Sequence, residues 1–298
     1  MKQITYETTN KVMATLRRCG FMVWRLAVVY GWIADLLSVW YDLEMTGFFG
    51  NHYATLPGGI LISRVDVYSS MAPDGKRSGT PHIHLACDEM YYGLRGTGFV
   101  ELISYDGFER RPVTPGDAVC FTPGTIHRAI NPNGDLVILV IMQNKGLPER
   151  GDVAFCFPHD TLSSEPLYRQ TMFVDDEGSA QRRRDLGVLG FNRLKQAFDE
   201  SLETGRHLLD EFYHFAIQRT RDQYFQWRRV IEQGPHVEVK RSQQILDVLE
   251  DDSIESLQLG RAFTANPTPQ TTLGYCGHIH AYAPSQGSRY TAEGIRDE

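Results

Sequence analysis

The 298 residues are 42% hydrophobic and 22% charged, the balance of an ordinary globular chain, which argues against a disordered or fibrous one. A net charge of −7 argues against a general nucleic-acid binder, which would show a basic stripe. The five cysteines (Cys19, Cys87, Cys120, Cys156 and Cys276) are odd in number and have no paired spacing, so a reducing cytoplasm is expected and a disulfide scaffold is not.

Residues 8–46 read as a helix, with Leu16, Phe21, Trp24, Ala27, Val28, Ile33, Leu36 and Leu37 close to helical spacing. Thr9 or Asn10 would cap it and Gly47 would end it. Its segment 20–41 is rich in apolar and aromatic side chains, but Arg25 and Asp35 leave too short an uncharged run to span a bilayer. No small-residue cleavage site marks it as a signal peptide. An amphipathic or buried helix is expected, packed on the next domain or on a second subunit, with a membrane-surface role as the alternative.

From residue 57 the texture changes. Residues 60–68 alternate and are β-branched, as a strand would be, and residues 71–81 are polar and rich in Gly and Pro, as a loop would be. Short extended runs at 89–94, 99–104 and 118–121 are separated by turns at 95–98, 105–107 and 115–117. A turn at 131–134 precedes the continuously apolar run 136–142. Strands at this rhythm with no helix between them predict an antiparallel sandwich or barrel.

Residues 152–157 could add a last strand, and 175–184 read as an exposed connection. Phe191, Leu194, Phe198, Leu202, Leu209, Phe212 and Ala216 then form a helical stripe within 191–232, and residues 242–257 suggest another helix. The tail from Gly260 reads as irregular, and no internal repeat is evident. The expected organisation is a helical extension over 1–47, a β-barrel over 48–160, and a helical region with an irregular tail over 161–298. The last region would serve as a lid or a dimer-forming appendage, with Phe212, Phe215, Phe225 and Trp227 as contact area, and a homodimer is the expected assembly.

The chemistry concentrates at His82, His84 and Glu89, with His127 further on. Histidines one residue apart on an extended segment share a face. Three imidazoles and a carboxylate suit a borderline divalent transition metal. Tyr91, two places after Glu89, shares its face and either lines the cavity or packs in the core. Lys76 and Arg77 could meet an anionic substrate or form a solvated loop. Arg128 should point away from His127 by alternation, and Cys87 and Cys120 read as small buried hydrophobes. His278 and His280 lie beside Cys276 without an acidic residue to complete a motif. Glu211 and His214 lack the second helical pair that a di-iron bundle needs.

These residues resemble the two motifs of the cupin superfamily. His82, His84, Glu89 and Gly96 match the first, and Gly116, Gly124, His127 and Asn131 match the second. Lys76 stands where the first motif has its opening glycine, and Pro123 directly precedes Gly124 instead of lying two before it. The resemblance implies a jelly-roll barrel with one divalent metal per chain held by His82, His84, Glu89 and His127. Fe(II) is favoured, with Mn(II), Ni(II), Co(II) or Zn(II) as alternatives. It implies an enzyme acting on a small polar molecule, with a non-haem iron dioxygenase as the leading expectation and Glu89 and Tyr91 as candidate catalytic groups. The run from Glu89 to Gly98 also looks like that of cupin-type phosphoglucose isomerases, so a sugar or sugar-phosphate isomerase or epimerase is the second expectation. A ligand-binding module without catalysis is the third.

Overall fold

The computed structural model describes residues 56–258, 260 and 262–284. The helix expected over 8–46 lies outside the described residues.

Nine strands follow one another before any long helix: β1 (Leu61–Val67), β2 (His82–Ile83), β3 (Glu89–Arg95), β4 (Gly98–Ser104), β5 (Gly107–Val113), β6 (Ala118–Phe121), β7 (Ile126–Ile130), β8 (Val137–Met142) and β9 (Ala154–Phe155). Six helices follow: α1 (His159–Ser163), α2 (Glu165–Met172), α3 (Glu177–Glu200), α4 (Leu202–Thr220), α5 (Tyr224–Gln233) and α6 (Pro235–Glu250). A short α7 (Glu255–Gln258) precedes three last strands, β10 (Ala265–Pro267), β11 (Thr272–Leu273) and β12 (Gly277–Pro284). Antiparallel strands form two sheets, in the orders β10-β12-β1-β8-β3-β6 (with β11 on β12) and β5-β4-β7-β2-β9. This is the expected β core with helical extensions.

Alternation decides what each sheet face carries. On β3, Glu89, Tyr91 and Gly93 are buried while Tyr92 and Leu94 are exposed. Their inward side chains join Val65, Val100, Leu102, Ala129 and Ile138 in the core between the sheets. A second core lies outside the β5-β4-β7-β2-β9 sheet, where Ile83, Ile103, Ile126 and Phe155 meet Phe191, Leu194, Leu209 and Phe212 of α3 and α4. That is why all five residues of β7 are buried: one face looks into the barrel and the other under the helices.

Four expectations are corrected. The described part of the tail from Gly260 is not irregular throughout, because β12 pairs with β1 from Ser63↔Ala281 to Val67↔Gly277 and so widens the first sheet. The connection over 175–184 instead starts α3, with Asp176 accepting from the Ser179 amide in a capping box. Its Arg183 and Arg184 are buried because they donate to the carbonyls of Gly274 and of Ser70 and Met71. The single helix over 191–232 is broken at Ser201, whose side chain caps α4 through the Thr204 amide. The helix expected over 242–257 begins earlier, at Pro235, and is interrupted after Glu250. The strand β5 had no apolar signal to announce it: as an edge strand it leaves Glu109, Arg110, Arg111 and Pro112 exposed.

A buried ion network ties the outer face of β7 to β4 and to the loop before β2, and touches the helical layer through Phe191. Arg128 points away from His127, as alternation requires, and donates from Nε and Nη2 to Glu101 Oε2 at 2.8 and 2.6 Å. Its Nη2 also reaches Asp74 at 2.6 Å, and its guanidinium lies 4.8 Å from the Phe191 ring of α3. Lys76 and Arg110 donate to the other oxygen of Glu101. Arg128 and Glu101 are both fully buried. Arg128→Ala is therefore expected to destabilise the fold by on the order of 3 kcal/mol in urea titration, since it leaves Glu101 Oε2, which Lys76 and Arg110 do not reach, buried without a donor. Burial pushes the Glu101 carboxyl up, but Arg128 foremost, with hydrogen bonds from Lys76 and Arg110, outweighs it and holds the group at about 2 against an ordinary 4.5. The folded value lies below the unfolded one, so this stabilisation is complete above pH 4.5 and is lost as pH falls towards 2. Glu101→Gln should flatten that part of the stability–pH curve.

Candidate metal centre

The short strand β2 brings His82 directly opposite His127 of β7, with Phe155 of β9 on its other side. Glu89 comes from the facing sheet, at the start of β3. His84 lies just beyond β2, where its carbonyl accepts from the Gly124 amide at 2.9 Å. Gly124 has φ +85°, a left-handed turn that a side chain would strain, and it sets the approach of β7. Asn131 closes the other end of β7, donating to Val67 O and accepting from the Leu136 amide. These are the jobs of the second motif's glycine and asparagine.

All three imidazoles are oriented the same way. Nδ1 of His82 donates to Thr80 O at 2.7 Å, Nδ1 of His127 donates to Thr125 O at 2.9 Å, and Nδ1 of His84 donates to Asp152 O. A neutral ring that spends its proton at Nδ1 keeps a lone pair at Nε2. The Nε2 atoms of His82 and His127 are 3.1 Å apart, and Glu89 Oε2 lies 3.0 Å from His127 Nε2 and 3.4 Å from His84 Nε2. The four side chains are 1–5% exposed, and Glu89 Oε2 has no hydrogen-bond partner. Donor atoms within 4.8 Å of one another are thus turned inward.

Such an arrangement fits a cation. Ligands about 2.1 Å from one ion lie about 3 Å apart when adjacent, which the 3.0, 3.1 and 3.4 Å separations approach. Without a cation, facing lone pairs and a buried carboxylate would repel. Burial, and after it the neighbouring His127 and His84, pushes the His82 imidazolium well below the ordinary 6.5. Burial would raise the Glu89 carboxyl, but His127 and His84 outweigh it and hold it below the usual range. For His84 burial lowers the value, and the Glu89 and Asp152 contributions outweigh it and raise it.

The surroundings distribute the other candidates. Tyr91 is fully buried on the Glu89 face, its ring 5.9 Å from that of His127 and its hydroxyl 2.9 Å from Cys276 Sγ. Lys76 and Arg77 do not line the site: Lys76 pairs with Glu101 outside the barrel, and Arg77 donates to Pro132 O. Cys87 is buried as expected, but Cys120 is exposed, because β6 turns Phe121 inward and its neighbour outward. His278 and His280 pair separately with Glu177 and Asp66, apart from the four-residue group. Glu211 and His214 are exposed on α4.

Three contributors carried no signal of their own in the sequence. Asp152 is fully buried; its carbonyl orients His84, and its carboxylate accepts from the Leu85 and Ala86 amides. Tyr275 and Cys276 arrive from beyond the helices, with the Tyr275 ring 5.0 Å from His82 and 6.4 Å from His84.

The family model for the Cupin domain matches residues 68–142. A protein of Rhizobium meliloti (strain 1021) described as "Putative glucose-6-phosphate isomerase 1" is 32% identical over 83 residues, 27% of this chain and 32% of its own length. The chain thus spans about a third of the length of that curated relative. KdgF from Halomonas sp. is 26% identical over 30% of this chain and 71% of its own, with a TM-score of 0.23. A Klebsiella pneumoniae protein with a double-stranded β-helix domain is 13% identical over 28% of this chain and 64% of its own, with a TM-score of 0.22.

Nitrogen-15 NMR of metal-free protein tests the orientation. His82 should appear as the neutral Nδ1–H tautomer at pH 6.5, because its depressed value keeps it uncharged there. Half-protonation at that pH, or a proton at Nε2, contradicts the geometry.

Proposed function

We propose that this chain, whose residues 68–142 are a cupin domain, is a metal-dependent enzyme acting on a small polar molecule. The observation that carries this reading is the convergence of three Nε2 atoms and one carboxylate in a buried barrel, each ring turned there by its Nδ1 bond to a carbonyl. His82, His84 and His127 would hold the ion through Nε2 and Glu89 through Oε2. A divalent ion there would act as a Lewis acid towards a carbonyl oxygen or, as iron, support oxygen chemistry.

The chain's own groups do the rest. The Nδ1 bonds fix each ring, so no reorganisation is needed when a ligand arrives. Burial of all four donors keeps water away. Glu89, held ionised by His127 and His84, brings the negative charge that a divalent ion needs. Burial, ahead of Cys276 and Glu89, pushes the Tyr91 hydroxyl far above its ordinary 10, so it keeps its proton and acts as a positioning group beside His127.

A redox-neutral isomerisation of a sugar or related hydroxy-carbonyl compound is the favoured reaction, supported by the likeness to the Rhizobium relative. The engagement of Lys76 and Arg77 elsewhere favours an unphosphorylated substrate. The dioxygenase reading stands second, supported by the complete three-histidine, one-carboxylate set. Unpaired cysteines among the described residues support a reducing cytoplasm, and no described helix is long and apolar enough to cross a membrane. Exposed Phe225, Val239 and Leu246 on α5 and α6 support a homodimer.

Metal analysis of protein purified without added metal or chelator should find about one transition-metal ion per chain. His82→Ala and His127→Ala should lower occupancy at least tenfold while far-UV circular dichroism is kept; full occupancy in both sinks the assignment. Sugars interconverted under strict anaerobiosis support the isomerase, whereas turnover that requires dioxygen uptake replaces it with the second reading.

A further inference from the structure

Four aromatic rings touch the candidate ligands. Tyr91 and Phe121 pack on His127, Phe155 on His82, and Tyr275 on both His82 and His84. The first three stand on β3, β6 and β9 and are 0–7% exposed. Tyr275 differs twice: it is only half-buried, and it lies on the turn between β11 and β12. The four ligands are themselves 1–5% exposed, so anything that exchanges with the site must pass an occluding group. Among these rings, Tyr275 is where the site approaches solvent.

The backbone that carries Tyr275 is fastened on both sides. Its carbonyl accepts from the Thr80 amide at 2.8 Å, and the next carbonyl, Cys276 O, accepts from the Tyr68 amide at 3.1 Å. Gly274 O accepts from Arg183 Nη2 at 2.6 Å and from the Tyr68 hydroxyl at 3.1 Å. A Cβ at Gly277 would stand 2.1 Å from Asp66 O, so the turn lies against β1 with no room to spare. With the main chain pinned, the movable part is the side chain. Its ring rests against Phe155 at 5.2 Å and against the Arg183 guanidinium at 5.3 Å.

We infer that Tyr275 is the gate of the metal centre: its ring, delivered by the C-terminal segment, covers the His82 and His84 side of the site and sets the rate and size limit for ligands reaching it. This rests on the metal-binding reading above. It makes the C-terminal segment part of the site, and it assigns the covering to the ring and not to the hydroxyl.

A gate has a kinetic signature that a structural residue lacks. It changes the rates of entry and exit together and leaves the equilibrium affinity unaltered, whereas a loosened ligand set weakens affinity. The probe is Zn(II), with transfer from loaded protein to an excess of chromophoric chelator giving the exit rate and competition at equilibrium giving the affinity. Tyr275→Ala should release Zn(II) at least tenfold faster with affinity within threefold of wild type, and Tyr275→Phe should stay within twofold in rate. Tyr275→Leu, which keeps an apolar filler, should also release faster and takes over should Tyr275→Ala not fold. A wild-type release rate in the Ala or Leu variant overturns the gate, as does a faster release matched by an equal loss of affinity. A wild-type chain that takes up no Zn(II) or other divalent ion overturns the metal reading itself, and the gate with it.

Discussion

Each of three imidazoles turns its Nδ1 to a main-chain carbonyl, and the Nε2 atoms are thereby brought into one small buried volume with a carboxylate. A folded chain tolerates such a concentration of acceptors only where a cation joins them or where the loss is offset elsewhere. The carbonyls that do the orienting belong to Thr80, Thr125 and Asp152, which lie on three different connections. Orientation of the site is therefore a property of the loops around the barrel end as much as of the strands that bear the ligands.

The helical layer contributes to the same end. Tyr213 of α4 donates its hydroxyl to Gly124 O at 2.8 Å, on the turn that leads into His127. Arg183 of α3 holds Gly274 O, next to the residue that covers His82. Arg128, one place after His127, anchors the other face of β7 to Glu101 and to Phe191 of α3. The alternation that turns His127 into the barrel necessarily turns Arg128 out, so one strand carries both the candidate ligand and its anchor. Displacing α3 would disturb both.

The ligand set was legible because it is written locally: an i, i+2 pair of histidines on an extended run needs no tertiary information to share a face. The turn glycine Gly124 and the closing Asn131 were legible only through the motif resemblance, since they act on His84 and Val67, distant in sequence. Strand β8 announced itself by continuous apolarity, while β5, an edge strand carrying Glu109, Arg110 and Arg111, did not. Arg183 and Arg184 looked like a solvated charge run, and only the carbonyls of Gly274, Ser70 and Met71, more than 90 residues away in sequence, make them interior groups. Asp152 and Tyr275 carried no mark of their own in the sequence, and Cys276 stood out only as a neighbour of His278 and His280. Their meaning comes from partners that the chain reaches only after crossing the whole fold.

That division bears on what similarity can convey about this chain. The matched segment, residues 68–142, contains all four candidate ligands and the motif residues that shape their loops. Asp152, which orients His84, and the rings of Phe155 and Tyr275, which pack on His82, lie outside it. The family match therefore speaks to the candidate ligands. Of the four rings packed on them, Phe155 and Tyr275 stand on β9 and on the turn before β12, beyond the matched segment. Two proteins could agree at every ligand and still admit different molecules, and in this one the difference would be decided by residues that follow the matched segment.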